Sequence, residues 1–222
     1  MSSFRPRRHP AGLTRTEILA GLVVLVILII VSLGPLHAYL EQRRIEHGID
    51  SARAIGLLLS QYATDNNGVY PVGEGTPAMG KSEGIALNLL QNQFTPNTDI
   101  FTVGATPAYR GTDKDYADLK PENISWDFTA GATATTGITA STSDLLPVAF
   151  TTGELVAYPS PGRGLDLPIS GQGPFGNKGV VVAYKGGNAV FIRALITGQT
   201  TLAPDFISRD CRAPGPYTQV RP

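Results

Sequence analysis

The sequence is poor in the residues that carry most polar chemistry. It has one cysteine, Cys211, and no intrachain partner for it, which excludes a disulfide framework and gives no sign of the redox compartment. It has three histidines, His9, His37 and His47, all in the N-terminal quarter, so nothing later in the chain offers an imidazole as base or metal ligand. Charge of either sign is not in excess. Lys+Arg and Asp+Glu stand at 18 each, and no basic surplus is available to hold nucleic acid. A carboxylate-pair or Ser/Lys enzyme survives this count, but no spacing proposes one.

Hydrophobicity is concentrated at one place. From Ile18 to Leu36 there are 19 residues without a charge, about 28 Å as a helix and close to the roughly 30 Å of a bilayer core. The run is rich in β-branched residues, yet a lone segment in lipid satisfies its backbone only as a helix. Arg5, Arg7, Arg8 and Arg15 precede it, whereas Arg43 and Arg44 beyond it are mixed with Glu41 and Glu46. That bias keeps the N-terminus in the cytoplasm and the rest of the chain outside. A plain secretory signal fits worse, because the apolar run is too long and the best cleavage candidate, Leu36-His37-Ala38, has a large residue where a small one is needed.

The segment Gly12-Leu13-Thr14-Arg15-Thr16-Glu17-Ile18 resembles the processing signal of type IV pilins and type II secretion pseudopilins. There a basic leader ends in Gly, and Glu is the fifth mature residue before an unbroken apolar run. The resemblance implies that a prepilin peptidase cuts after Gly12 and methylates the new terminus at Leu13. It implies further that Glu17 acts when helices bundle into a filament with copies of the chain, other pilin-like subunits and inner-membrane assembly machinery. Physics gives Glu17 a matching reason. A carboxylate at the edge of an apolar span needs compensation, and the processed Leu13 amine is a positive charge at the positive end of a helix dipole. Arg15, a charge at the third mature position, is free by its length to snorkel or to meet a neighbour's Glu17. Read alone, Glu17 is also the acidic N-terminal turn of an ordinary membrane anchor.

Past the span, Ile45, Ile49, Ala52, Ile55, Leu59 and Tyr62 recur at steps of three and four and predict an amphipathic continuation of the same helix. Asp65-Asn66-Asn67-Gly68 and then Tyr70-Pro71 predict its end. Pro35 is expected to kink or locally melt the helix. The expected organisation is a leader over 1–12, a helix over 13–65 with its membrane span about 18–36, and a head over 66–222. Residues 72–121 read as a connecting region with one helix, Ser82 to Gln91. Strands are expected over Ile124 to Thr129, Leu145 to Thr151, Gly179 to Tyr184 and Ala189 to Leu195, the last two joined at Lys185-Gly186-Gly187-Asn188. Thr129 to Ser143 reads as an exposed low-complexity loop and the tail after Leu202 as Pro-rich and irregular. The fold class is therefore α+β, a long helix packed by a small antiparallel sheet, pilin-like by resemblance.

Among remaining motifs, Asp113, Asp115, Asp118 and Glu122 form an acidic cluster. Counted from Asp113, the sixth and twelfth positions are Asp118 and Ile124, not the Gly and Glu of an EF-hand. The cluster reads as a solvated loop, with calcium in Asp113, Asp115 and Asp118 as the alternative that the resemblance implies. Asn123-Ile124-Ser125 matches the N-glycosylation pattern. The glycines at 162, 164, 171, 173 and 176 form no phosphate-binding motif. The expected function is a structural, non-enzymatic subunit of a type II secretion-like pseudopilus or a type IV pilus, located in the bacterial inner membrane and then in a filament. The competing expectation is a bitopic extracytoplasmic binding protein or enzyme that keeps residues 1–12 and does not polymerise.

Overall fold

The structure is a computed structural model that describes residues 15–104, 106–111, 116–153, 172–194 and 217–222, with the side chains of residues 30–33 left aside. It divides into two compact units, Met1–Arg43 and Arg44–Pro222. One helix, α1 (Arg15–Asp65), contributes to both. Helical backbone continues through Pro35, so the proline does not melt it. The helix stops where the sequence supplies left-handed conformers: Asn67 has φ 56° and Gly68 φ 79°. Gly68 N–H then donates to the Ala63 carbonyl at 2.7 Å, and the Asn66 side chain donates to the Tyr62 carbonyl. These bonds satisfy carbonyls that the end of the helix leaves open.

In the head unit, α2 (Ser82–Gln91) follows the connecting loop over the range expected, with every residue from Ser82 to Leu90 buried. Its first turn lacks a side-chain cap. Ser82 is tied instead to the C-terminal segment: its N–H donates to the Arg221 carbonyl and its hydroxyl to the Val220 carbonyl, while Gly84 N–H donates to the Lys81 carbonyl. The loop before α2 packs tightly on it. Gly73 has φ 82°, and a Cβ there would lie 2.7 Å from the Gly84 carbonyl carbon.

Five strands form one antiparallel sheet in the order β4-β3-β2-β1-β5. They are β1 (Trp126–Ala130), β2 (Pro147–Thr151), β3 (Gly179–Tyr184), β4 (Ala189–Arg193) and β5 (Thr218–Val220). The first two begin two residues later than the apolar runs suggest, and β3 has the expected bounds. Pro147 stands first in its strand, where a missing N–H does least harm. The β3–β4 turn closes through Tyr184 N–H to the Asn188 carbonyl and takes positive φ at Gly187. The tail corrects the irregular reading: Thr218–Val220 pairs with Phe128–Ala130 and adds the fifth strand. Its reason is tertiary, since Val220 is fully buried in the core.

Ala52, Ile55, Leu59 and Tyr62 of α1 are buried, and Ile45 and Ile49 pack partly against the same core. The lower part of this stripe meets β3. A Cβ on Gly48 would lie 3.1 Å from Val181 and one on Gly56 3.8 Å from Ala183, so the two small residues let strand and helix approach. The upper part meets Phe94 instead, whose ring centroid is 5.4 Å from that of Tyr62. Trp126 is fully buried and donates from Nε1 to the Ile100 carbonyl at 2.9 Å. Thr129 to Ser143 is only partly an exposed loop. Thr129 and Ala130 lie in β1, Ile138 is buried, and Thr139 bridges to Val69.

Candidate functional site

The N-terminal unit presents an apolar surface with no cover from its own chain among the described residues. Ile18, Leu19, Leu22, Val23, Val24, Leu25, Val26, Ile27, Leu28 and Ile29 are all exposed. An 18-residue window of α1 reaches a mean hydropathy of 2.9 with none of it buried. Side chains on consecutive positions cover every face of a helix, so this is not the one-sided stripe of a helix that packs on its own domain. The helix is long and apolar enough to cross a membrane.

The two ends of that surface carry polar groups. Glu17 stands in the first turn of α1 and is exposed, where the helix dipole favours a carboxylate. Beyond the apolar run, Arg43 lies over the Tyr39 ring, 5.3 Å from its centroid, and its Nε donates to the Tyr39 hydroxyl at 2.9 Å. Gly12 and Leu13, the expected cut and mature terminus, lie outside the described residues.

The head unit holds one carboxylate that sequence reasoning missed. Asp127 of β1 is 0 % exposed and lies opposite Phe150, which lies opposite Val182, so an acidic side chain shares a sheet face with two apolar ones. Gln219 Nε2 donates to its Oδ2, and Arg221 Nε lies 3.5 Å from the same oxygen. Oδ1 has no hydrogen-bond partner among the described residues. Burial raises the pKa of this carboxyl, while Thr152, Gln219 and Arg221 pull it the other way. An enclosed carboxyl tied to β5 fastens the end of the chain and offers no approach to a substrate. The sequence signal for it was weak: Trp126-Asp127-Phe128 reads as a strand with Asp127 on a wet face.

Elsewhere in the head, Glu83 is also buried, with Lys81 at 3.6 Å. Burial first, and then the charge of Glu74, raise the pKa of Tyr62, whose hydroxyl faces Glu74 at 3.4 Å. A shallow groove of about 400 Å³ runs beside the β3–β4 turn, lined among others by Arg53, Asp144, Leu145 and Tyr184. Its charges are already paired, Arg53 with Asp50 and Asp144 with Lys185.

The acidic cluster, read as a solvated loop with calcium as the alternative, is only partly within the described residues. Asp113 and Asp115 lie outside them, Asp118 and Glu122 are exposed, and no three His, Cys, Asp or Glu side chains come together to hold a metal among those described. In the glycosylation pattern, Ser125 is 0 % exposed, and its hydroxyl accepts from Val103 N–H at 2.7 Å. The acceptor Asn123 itself is half-buried, and its Nδ2 donates to the Pro107 carbonyl at 3.1 Å. Of the five glycines, 162, 164 and 171 lie outside the described residues, as does Cys211. No protein-family model, curated protein or solved structure matches this chain.

Proposed function

We propose that the chain is a pilin-like structural subunit of a type II secretion-like pseudopilus or a type IV pilus. A prepilin peptidase cuts after Gly12, the helix from Leu13 anchors the subunit in the bacterial inner membrane with its N-terminus cytoplasmic, and the head remains extracytoplasmic. The same helix then leaves lipid for a bundle of identical or related helices. The observation that carries this reading is the apolar surface of Ile18 to Ile29, open on every side and headed by Glu17. In lipid it needs no partner. In a filament it is covered by neighbours, and Glu17 then sits in a dry environment where the Leu13 amine is its natural counter-charge. Assembly by helix packing requires no catalytic group in the head and no bound cofactor.

The test is the N-terminal residue of the protein recovered from membranes of its native host, read by mass spectrometry. The proposal expects a methylated Leu13 as first residue, and a bulky replacement at Gly12 should block the cut. A chain starting at Met1, or one starting after Ala38, overturns it. The groove beside Arg53 and Asp144 favours a second reading, a bitopic extracytoplasmic binding protein. An intact Met1 terminus together with monomeric behaviour selects that reading.

A further inference from the structure

We propose that the outer edge of β4 is a docking site for an extended segment of another protein, apolar at alternate positions and carrying a carboxylate beside Arg193. The proposal goes beyond the assembly reading and holds whether or not the chain polymerises. The direction of the backbone groups in β4 carries it. The strand is last in the sheet on its side, with β3 as its neighbour. Tyr184 N–H donates to the Asn188 carbonyl and Ala194 N–H to the Lys178 carbonyl. These bonds fix the phase of the ladder: with Val182 opposite Val190 and Val180 opposite Ile192, the even positions of β4 bond to β3. The N–H and C=O groups of Ala189, Phe191 and Arg193 therefore point away from the sheet. Among the described residues these outward groups have no partner.

Natural sheet edges are blunted by shortness, proline, bulges or charge. The opposite edge has such devices, since β5 is three residues long and is followed by Arg221 and Pro222. By contrast β4 has five residues in unbroken register with β3, no proline, and no charge before Arg193. Val190 is exposed and Ile192 half-buried on one face, while Phe191 packs on Phe175 from the other, ring centroids 5.4 Å apart. The groove of about 400 Å³ opens at the start of the strand, where Leu145, Tyr184, Ala189 and Val190 line it. It has room for a side chain of a segment that adds to β4. An edge of this kind is matched by another extended backbone, which gives affinity through the main chain and specificity through alternate side chains. Charge selects the occupant. Arg193 is exposed and, among the described residues, makes no ion pair. Neither edge strand of a second copy, Ala-Val-Phe-Ile-Arg or Thr-Gln-Val, brings a carboxylate to meet it. A foreign segment with an acidic residue across from Arg193 does, and opposite charges on adjacent strands attract.

Peptides of about ten residues, the length of a long strand, are selected from a random phage-displayed library against the full chain in lipid nanodiscs, and the tightest binder is synthesised. Its binding should slow amide exchange at Phe191 and Arg193. Arg193→Pro removes an outward N–H and the charge without breaking a β3–β4 bond, and should weaken binding by about tenfold or more. Arg193→Gln removes the charge alone and should weaken it several-fold. On the wild-type chain, N-methylation of alternate peptide amides should abolish binding in one phase and spare it in the other, because successive amides of a strand point to opposite sides. That pair of peptides decides the matter even where Arg193→Pro disturbs the fold. Selection of no peptide, equal effects of the two N-methylation phases, or binding that ignores Arg193→Gln overturns the proposal. Dimers of the chain that form through Phe191 and exclude the peptide also overturn it, by giving the edge to a second copy.

Discussion

Two leucines of α1, two positions apart, separate packing from helix propensity. Leu59 is 3 % exposed and belongs to the core, whereas Leu57 is 59 % exposed. Leu→Ala makes the same change in helix propensity at both, a slight gain if anything. At Leu59 it also removes about three buried methylene equivalents, worth about 2.4 kcal/mol at roughly 0.8 each. Whatever cavity fails to collapse adds to this, which places the expected loss at about 2.5–5 kcal/mol. For a domain of this size the melting temperature should fall by about 2–4 °C per kcal/mol, or roughly 5–20 °C in all. At Leu57 the change should stay within about 0.5 kcal/mol. The assay is urea unfolding of the head, residues 44–222, followed by the fluorescence of Trp126, the single tryptophan and a fully buried one. Equal shifts for the two variants, or a loss under about 1 kcal/mol at Leu59, would refute the packing of α1 on the sheet.

Three further outcomes are expected. Glu17→Ala should leave expression, insertion and cleavage intact and reduce the yield of sheared filaments or crosslinked oligomers relative to processed monomer; unchanged assembly would remove the role given to Glu17. Asp127 has a raised pKa in the folded head, so its contribution favours folding most at low pH and is lost as pH climbs from the ordinary carboxylate value of about 4 through the folded value. The unfolding midpoint of the wild-type head relative to Asp127→Asn should therefore fall over that rise, and a pH-independent difference would contradict the burial argument. Gly73→Ala should destabilise the head by about 2–5 kcal/mol, because it combines a left-handed backbone with a Cβ driven against the backbone of Gly84; a midpoint within error of wild type would place the loop elsewhere.

Local signals and tertiary ones were unequally legible. The helix α2 and the strand β3 could be bounded from sequence because each is a dense apolar run with its punctuation beside it, Lys81-Ser82 at one and Lys185-Gly186-Gly187 at the other. The stop at Asn67-Gly68 was readable for the same reason. By contrast β5 is three residues, Thr-Gln-Val, with no period to detect. It is a strand because β1 offers an edge, the core has room for Val220, and Asp127 holds Gln219 and Arg221. Asp127 escaped notice on the same account: alternation marks a polar residue as outward, and only the buried state of both sheet faces makes it inward. The acidic residues that did attract attention, Asp118 and Glu122, are exposed where they are described. Local charge density reports little about enclosure.

The closing strand also sets an order of events during synthesis. Ser82 reaches across 138 positions to Val220, so the N–H and hydroxyl of Ser82 find their acceptors only once residues 220 and 221 have been made. A ribosome adding about 5–20 residues per second needs roughly 7–28 s to travel that distance. Through that interval β1 has an open edge, a state that invites strand pairing with other chains. The edge of β1 and the start of α2 are completed when residues 217–222 arrive. A chain without residues 217–222 thus leaves the β1 edge and the Ser82 donors open.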